Sequence, residues 1–499
     1  MLWTIFLLLN GLLILILLYS TRTRQKDEPP LDKGLIPWLG HALEFGKDAA
    51  KFLARMKEKH GDIFTVCVLG KYVTVLLDPN SFDEVVNDTE FLDFTCSRSQ
   101  ILKKIFSLQL PNIKPAAERE WMKLHFQGLG LSELSSSMNI HLQRQLLSDQ
   151  SDCGPLEWRQ DGLYSLCHSL LFRAGYLTLF GRRDNATAVY EEFCTFDRLL
   201  PTLSRGETKT ANTSRERLWE LLSPSWLSGE SDTGSWQQSY QNFLQGQGVD
   251  TEMQRRALLL QLWTTQCNAG PAAFWLLGFL LTHPTAMEAV KSEVRRITSQ
   301  ESYPWRPPIN PLEAHSTPVL DSVLRETLRL TAAVMIRRDV MQVKRLRMAN
   351  GQEYLLRQGD KVCLFPFLSP QMDPEIHQDP QMFKYDRFLN EDKTVKDTFY
   401  KEGKRLKYYT LPWGAGKNIC SGKEFAVKTI KQFVFLLLTR LDLEMCDPGE
   451  TLPPVNPSRY GYGMLQPDGD LQSRTCRFDS VQDDNNNNSP RIGRRQDQL

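Results

Sequence analysis

The sequence predicts a mainly α-helical protein with small β sheets, preceded by an N-terminal transmembrane signal anchor. Most of residues 115–300 carries apolar side chains at helical spacing. Residues 63–77 and 354–367 are instead rich in β-branched and aromatic side chains, which favour strands. An apolar run at residues 2–19 supplies the anchor. We therefore expect a helical globular part in which the sheets are minor elements.

Size and composition favour one large folding unit. The chain has 499 residues, of which 41% are hydrophobic, and this is enough for a large buried core. Length alone suggests about three domains, but the sequence contains no Gly/Ser linker, repeat or abrupt change in composition. A formal net charge of +1 gives no indication of nucleic-acid binding. Ten cysteines at no regular spacing indicate a reducing compartment rather than a disulfide framework.

The N-terminal apolar run is long enough to cross a bilayer. About 18–20 apolar residues span a hydrocarbon core of about 30 Å, and residues 2–19 are almost entirely apolar. Arg22, Arg24 and Lys26 follow, and such basic residues keep their side of the membrane cytosolic. The alternative is a cleaved signal peptide, which has a shorter apolar core, a preceding charge and a small-residue cleavage site. The sequence therefore predicts a retained single-pass anchor.

These features divide the chain into four predicted parts. They are a transmembrane signal anchor (1–20), a basic and proline-rich connector (21–40), the globular domain (41–476) and a disordered polar tail (477–499). The connector is expected to be stiff and polyproline-like. Within the domain, residues 63–77 predict a hairpin around Gly70, residues 257–282 one long apolar helix, and residues 422–441 a further helix.

The most informative segment is residues 413–422, which read Trp-Gly-Ala-Gly-Lys-Asn-Ile-Cys-Ser-Gly. Gly416 and Gly422 flank Cys420 and let the backbone approach a flat macrocycle, against which Trp413 can pack. A cysteine thiolate can ligate haem iron and favours cleavage of an O–O bond. A free cysteine is ordinarily a buried, inert thiol, and we expect this of the other nine. The segment around Cys420 resembles the cysteine-ligand loop of the cytochrome P-450 superfamily.

This resemblance implies the cytochrome P-450 fold and a thiolate-ligated haem b (iron protoporphyrin IX), with Cys420 as the axial ligand of the iron. The residues expected to contact the haem are Cys420, Trp121, His125, Arg338, Trp413, Gly414 and Gly422. His125 replaces the usual arginine, and Asn418 stands where the superfamily commonly has a basic residue. Arg338 is therefore the best candidate to bind a haem propionate.

Three charged residues match the buried Glu-Arg-Arg network of the superfamily. They are Glu326 and Arg329, three residues apart on a predicted helix, and Arg387. The resemblance implies that they brace the haem loop and take no part in the chemistry. A simple surface ion pair is the alternative for the first two, since side chains at this spacing share one helix face.

The predicted distal helix, residues 257–282, departs from oxygen-activating members of the superfamily. Where those proteins carry an acid and a threonine, this chain has Gly270 and Pro271, whose side chains cannot transfer a proton. Pro271 also removes a helix hydrogen bond, which predicts a kink. Asn268, one turn earlier, can point its amide at the iron. Alternatively, it only satisfies a carbonyl that the kink frees.

A haem thiolate without a proton relay suits a substrate that already contains an O–O bond. Segments such as Asn-Ala-Gly-Pro-Ala-Ala-Phe-Trp at 268–275 resemble the endoperoxide isomerases of the superfamily, and the likeness extends from the anchor to about residue 475. It implies conversion of prostaglandin H2 to prostacyclin by O–O homolysis, with Asn268 and Cys420 as catalytic residues. It also implies a monomer in the endoplasmic reticulum membrane, with no obligatory reductase and no use of external O2 or NADPH. The residues expected to bind this lipid endoperoxide are Lys104, Leu110, Asn268, Arg337, Arg338 and Lys361.

Two other classes of function stay open on the sequence alone. Sterol 7α- and 12α-hydroxylases have a similar Asn…Pro helix, yet they are monooxygenases that use O2 and a reductase. A haem protein that binds lipid without catalysis is the second class. A requirement for NADPH distinguishes the hydroxylase from the isomerase.

Overall fold

The structure is a computed structural model that describes residues 2–19, 22–110, 113–149, 157–181, 185–206, 209–223, 235–300, 312 and 315–477. Helices dominate it, as predicted. In chain order they are α1 (Leu2–Tyr19), α2 (Ala42–Lys47), α3 (Ala49–His60), α4 (Asp83–Val86), α5 (Thr95–Phe106), α6 (Pro115–Phe126), α7 (Gly128–Asp149), α8 (Leu163–Phe180), α9 (Ala186–Arg205), α10 (Lys209–Leu222), α11 (Trp236–Gly246), α12 (Thr251–Gln266), α13 (Ala269–Thr282), α14 (Pro284–Gln300), α15 (Pro318–Thr331) and α16 (Lys423–Arg440).

The strands are short and form small sheets. They are β1 (Leu31–Asp32), β2 (Ile63–Val68), β3 (Lys71–Leu76), β4 (Leu92–Asp93), β5 (Arg159–Gly162), β6 (Ala332–Ala333), β7 (Ile336–Val340), β8 (Lys344–Arg347), β9 (Glu353–Leu356), β10 (Lys361–Leu364), β11 (Tyr400–Lys401), β12 (Lys404–Arg405), β13 (Leu441–Met445), β14 (Gly463–Met464) and β15 (Gln472–Arg477). The largest sheet has the order β1-β2-β3-β10-β7-β4. The predicted fold class, mainly helical with small sheets, is confirmed.

The six-stranded sheet begins with the predicted hairpin. Strands β2 and β3 pair antiparallel from Ile63 opposite Leu76 to Val68 opposite Lys71. Leu69 and Gly70 form the turn, and both have positive φ angles of 50° and 72°. Two positive φ angles match the twist of the flanking strands, so a tight two-residue turn suffices. Strand β10 then pairs parallel with β3 and antiparallel with β7.

The distal segment differs from the prediction of one helix over 257–282, which is wrong. Helix α12 ends at Gln266 and α13 begins at Ala269, with Asn268 as the residue that caps α13. Pro271 is the third residue of α13. The first N–H groups of a helix have no acceptor within it, so a proline there loses little. The proline therefore belongs to the start of a new helix rather than to a kink within one.

Helix α13 is nearly uniformly apolar because it lies inside the helical core. Its residues Phe274, Leu276, Leu277 and Leu280 are fully buried. The helix packs closely against α8 on one side and against α15 and α16 on others. A helix that is hydrophobic all round needs such a surrounding core. Its beginning, at Asn268, is where the core opens into the cavity described below.

The connector is held to the domain by charges. Glu28 is buried and forms ion pairs with Arg22 and Arg357, and Arg22 Nη1 lies 2.6 Å from Asp360 Oδ2. The Arg22 guanidinium also lies 4.5 Å from the centre of the Tyr72 ring. Residues 22–28 are thereby attached to the strands at the edge of the domain.

The predicted anchor and the predicted polar tail lie at the two ends of the chain. The N-terminal apolar run forms α1, but no helix within the described residues is both long and apolar enough to cross a membrane. The predicted disordered tail begins at Arg477, which ends β15, and residues 478–499 lie outside the described residues.

Candidate active site

The loop around Cys420 folds back on itself before α16. The backbone N–H of Cys420 donates to the carbonyl of Trp413 at 2.9 Å. Gly414 and Gly416 have positive φ angles of 72° and 62°. A Cβ on Gly416 would lie 2.8 Å from Cγ1 of Val86 and 2.9 Å from its carbonyl oxygen, so only glycine fits there. The two glycines thus permit the tight loop that presents Cys420.

Cys420 faces a cavity, and the start of a helix lies directly behind it. Gly422 caps α16, and the carbonyl of this glycine accepts from the N–H of Ala426 at 2.9 Å. Enclosure by protein raises the pKa of the Cys420 thiol, while the Gly422 N–H and the charge of Lys423 act in the opposite direction. The positive end of the helix dipole also favours a thiolate. A cysteine in these surroundings could ligate a metal as a thiolate.

A cavity of about 300 Å³ lies between Cys420 and the beginning of α13. Its described lining is apolar except for a few amide, thiol and guanidinium groups. The lining residues are Phe94, Asn268, Ala269, Ala272, Leu328, Val334, Met335, Ile336, Arg337, Arg338, Pro412, Trp413, Gly414, Ala415, Asn418, Cys420, Ala426, Ile430, Gly463 and Met464. Within this described lining no side chain is a carboxylate or a hydroxyl. The cavity therefore offers hydrogen-bond donors but no acid or alcohol that could relay protons.

Asn268 is held in one orientation at the distal side of the cavity. Its Oδ1 accepts a hydrogen bond of 2.9 Å from the backbone N–H of Met464 in β14. Among the described residues no carbonyl at the helix break accepts a hydrogen bond from the Asn268 amide nitrogen. The first backbone bond of α13, from Ala272 N–H to the Asn268 carbonyl, measures 3.1 Å.

Close packing against helix α8 leaves no room for a side chain at position 270, which is a glycine. A Cβ there would lie 2.6 Å from Cδ2 and 2.9 Å from Cα of His168 in α8. His168 is buried, and burial lowers the pKa of its imidazole to about 4, so it is neutral at physiological pH. Helix α8 therefore fills the space that an acidic side chain at position 270 would need.

Arg338 is a buried guanidinium that lines the cavity. It is 4% exposed, and burial lowers the pKa of its side chain, although Asp93 acts in the opposite direction. Its Nη1 donates to the Arg337 carbonyl at 2.8 Å, and its guanidinium lies 6.0 Å from the centre of the Phe94 ring. Among the described residues no carboxylate pairs with it. A buried cation without an anion is costly, so this cavity fits a ligand that carries a carboxylate, such as a haem propionate.

The other residues predicted to contact haem divide into two groups. Trp413, Gly414 and Cys420 line the cavity, and Gly422 lies just behind it. Trp121 and His125 instead face α11. The Trp121 ring stacks on Phe243 at 5.5 Å, and His125 Nε2 lies 3.2 Å from Ser239 Oγ. Burial also lowers the pKa of His125, with Glu133 opposing it, so its ring is not a ready cation at neutral pH.

The structure brings only some of the predicted substrate-binding residues together. Asn268, Arg337 and Arg338 share the cavity. Lys361 is engaged elsewhere, because its Nζ pairs with Asp339 and donates to Ser97 Oγ at 2.7 Å. Two others lie outside the described lining, Lys104 as an exposed residue of α5 and Leu110 packed against the helical core.

Glu326, Arg329 and Arg387 form one buried network. Glu326 and Arg329 are fully buried, and Arg329 donates to both carboxylate oxygens of Glu326, at 2.7 and 2.8 Å. Arg387 Nε donates to the same carboxylate at 2.9 Å. Arg329 also donates to the carbonyl of Gln371 at 2.7 Å. Breaking such a buried pair typically costs about 3–5 kcal/mol, so the network ties α15 firmly to the segments that precede the Cys420 loop.

The sequence interpretation missed the contribution of β14. Gly463 and Met464 lie almost 200 residues after Asn268 in the chain, and they meet it only through the pairing of β14 with β6. The Gly-Tyr-Gly run at 461–463 signals an unusual backbone. It does not indicate which side chain that backbone contacts.

Comparison with known proteins agrees with this site. A cytochrome P450 family model matches residues 266–472. The chain is 49% identical to prostacyclin synthase of Rattus norvegicus over 472 residues, which cover 90% of this chain and 94% of that protein. For prostacyclin synthase of Homo sapiens the identity is 49% over 475 residues, with 91% and 94% covered. A 7-alpha-hydroxycholest-4-en-3-one 12-alpha-hydroxylase of Oryctolagus cuniculus is 40% identical, with 91% and 94% covered. The chain therefore belongs to the cytochrome P450 family, whose cofactor is a thiolate-ligated haem.

Proposed function

We propose that this protein is a haem-thiolate isomerase that converts prostaglandin H2 to prostacyclin. One observation carries the proposal: the described lining of the cavity holds an oriented amide, Asn268, and neither an acid nor a hydroxyl. Similarity to two prostacyclin synthases at 49% identity supports the same activity. The hydroxylase alternative rests on a relative at 40% identity.

The chemistry of isomerisation matches these residues. Bound haem supplies a thiolate-ligated iron that can open an O–O bond, and Cys420 is the ligand that we assign to it. Substrate and product have the same composition, so the reaction needs no external electron, O2 or net proton. Asn268 donates a hydrogen bond to one oxygen of the endoperoxide and holds it near the reacting centre, a contribution of position as well as charge.

The two arginines give the cavity its anion-binding capacity. We assign the buried Arg338 to a haem propionate, because its guanidinium has no carboxylate partner among the described residues. Arg337 is more accessible, and its Nη2 donates to the sulfur of Met335 at 3.4 Å. We assign it to the carboxylate of the substrate. Guanidinium groups suit both roles because they bind carboxylates through two parallel hydrogen bonds.

Turnover without oxygen tests the proposed function. Purified ferric protein incubated with prostaglandin H2 under anaerobic conditions, without reductase or NADPH, should form prostacyclin. Product is measured by mass spectrometry, with haem-free protein as the control for spontaneous breakdown. Strict dependence on both O2 and NADPH would contradict the isomerase and favour a sterol hydroxylase.

We also propose that the protein is a monomer held in the endoplasmic reticulum membrane by residues 1–20, with the domain in the cytosol. The apolar composition of residues 2–19 and the basic residues after them support this. Deletion of residues 1–20 is expected to make the protein extractable by alkaline carbonate while leaving haem binding unchanged. Loss of haem incorporation on truncation would instead make this segment part of the fold.

A further inference from the structure

The orientation of the Asn268 amide can be deduced from its partner. A backbone N–H can only donate, so the atom of Asn268 that faces the Met464 N–H must be the oxygen. The amide nitrogen, Nδ2, is then the polar atom left for a ligand. No described residue accepts a hydrogen bond from Nδ2, and Asn268 lines the cavity. The residue is therefore oriented as a hydrogen-bond donor.

Strand β14 is held rigidly enough to fix that orientation. Its pairing with β6 places Met464 opposite Ala332, and the following Leu465 N–H donates to the Thr331 carbonyl at 2.8 Å. The carbonyl of Leu465 accepts from the indole N–H of Trp275 at 2.7 Å. Because Trp275 belongs to α13, two hydrogen bonds join this helix and its capping residue Asn268 to β14 and the residue that follows it.

Gly463 keeps the space that this contact requires. Its φ angle is 105°, a conformation that residues with a side chain rarely adopt. A Cβ at this position would lie 2.5 Å from Oδ1 of Asn268, which is too close for any real contact. An alanine at 463 would have to displace the Asn268 carboxamide from the Met464 N–H.

We propose that Gly463 and the Met464 N–H are positioning elements for Asn268, which they fix with Oδ1 on β14 and Nδ2 toward the cavity. This inference rests on the proposed function and deepens it. The group that Asn268 recognises is a bridging peroxide oxygen, which can accept a hydrogen bond but has no proton to donate. A hydroxyl of a substrate would not need this fixed polarity, since it can both donate and accept.

Two stable analogues of the endoperoxide test the proposal, each with one of the two bridging oxygens replaced by a methylene. Their dissociation constants for the ferric holoenzyme are measured from the shift of the haem absorption band. The ratio of the two constants also contains the contribution of the haem iron, so the expected quantity is its change. Asn268→Ala should shift the ratio by roughly 3- to 10-fold against the analogue whose oxygen faces Asn268, the contribution of one ordinary hydrogen bond. Gly463→Ala should shift the ratio by the same factor and in the same direction.

A double-mutant cycle tests whether Gly463→Ala acts through the position of Asn268 or through a general disturbance of the protein. In the Asn268→Ala background, Gly463→Ala should change neither the ratio nor the turnover number by more than about 2-fold, because coupled residues are not additive. Gly469→Ala is the matched control. This glycine also has a positive φ, of 131°, but its Cβ would meet only Pro453, at an ordinary 3.7 Å. An equal loss from Gly463→Ala in both backgrounds would overturn the proposal.

Asn268→Gln provides a second test if Gly463→Ala does not incorporate haem. This variant keeps the amide but moves it by one methylene, away from the Met464 N–H. The proposal predicts that it shifts the ratio as Asn268→Ala does, and an unchanged ratio would overturn it. Failure of the proposed function is a separate result, namely a ratio that shifts in these variants while the wild-type protein forms no prostacyclin.

Discussion

Cys420→Ser is expected to abolish isomerase activity together with the thiolate signature of the haem spectrum. Serine has nearly the same shape, but its hydroxyl is not ionised at neutral pH and cannot replace a thiolate as an electron-donating ligand. In this protein enclosure raises the pKa of the Cys420 thiol, and coordination to the iron would favour its thiolate form. The measurements are prostacyclin formation and the spectrum of the ferrous carbon-monoxide complex.

Cys96→Ser is the matched control for this variant. Cys96 is an exposed free cysteine of α5, outside the described lining of the cavity. Its replacement should leave spectrum and turnover unchanged. A Cys420→Ser protein that kept a normal thiolate spectrum and wild-type turnover would show that another residue ligates the iron.

Asn268→Ala is expected to slow turnover by about 10- to 1,000-fold, the range for removal of one well-placed donor. The reason is the loss of the Nδ2–H group that holds the endoperoxide. The same change leaves the Met464 N–H without its acceptor. It should therefore also lower the free energy of unfolding by about 1–3 kcal/mol, the cost of an unsatisfied buried group. Single-turnover kinetics and thermal unfolding measure the two effects separately.

Thr264→Val is the control for the distal-side prediction. Thr264 is an exposed residue near the end of α12, and its hydroxyl donates only within that helix, to Gln261. The valine has the same shape without a hydroxyl and should keep wild-type turnover. Equal rates for Asn268→Ala and the wild-type protein would remove Asn268 from the reaction, whatever happens to stability.

Local features of the fold could be predicted because neighbouring residues determine them. The hairpin of β2 and β3 follows from β-branched residues on both sides of Gly70, and the antiparallel pairing of the two strands confirms it. Helix α16, at Lys423–Arg440, falls within the predicted range of 422–441. The Cys420 loop also depends on nearby glycines, at positions 414 and 416, whose positive φ angles no other residue adopts as easily.

Features that depend on distant contacts were not predictable in the same way. Residues 257–282 read as one apolar helix, yet the chain breaks before Ala269, where Asn268 bonds to β14. Lys361 is basic and lies at the start of a strand, as a carboxylate-binding residue could. Its partner Asp339 is on the neighbouring strand, and the ion pair engages the charge. Neither contact can be recognised from the neighbouring residues in the sequence.

The chemical class of this protein can be predicted from a few residues without any knowledge of the fold. The segment around Cys420 predicts a thiolate ligand, and the side chains of Gly270 and Pro271 cannot relay protons at those positions, because these properties belong to the residues themselves. The orientation of the Asn268 amide cannot be predicted in this way. The same holds for the burial of Arg338 without a carboxylate partner among the described residues, because both depend on the folded protein. Orientation and desolvation arise from the atoms that surround a group, and here those atoms come from β14 and from the strands of the large sheet.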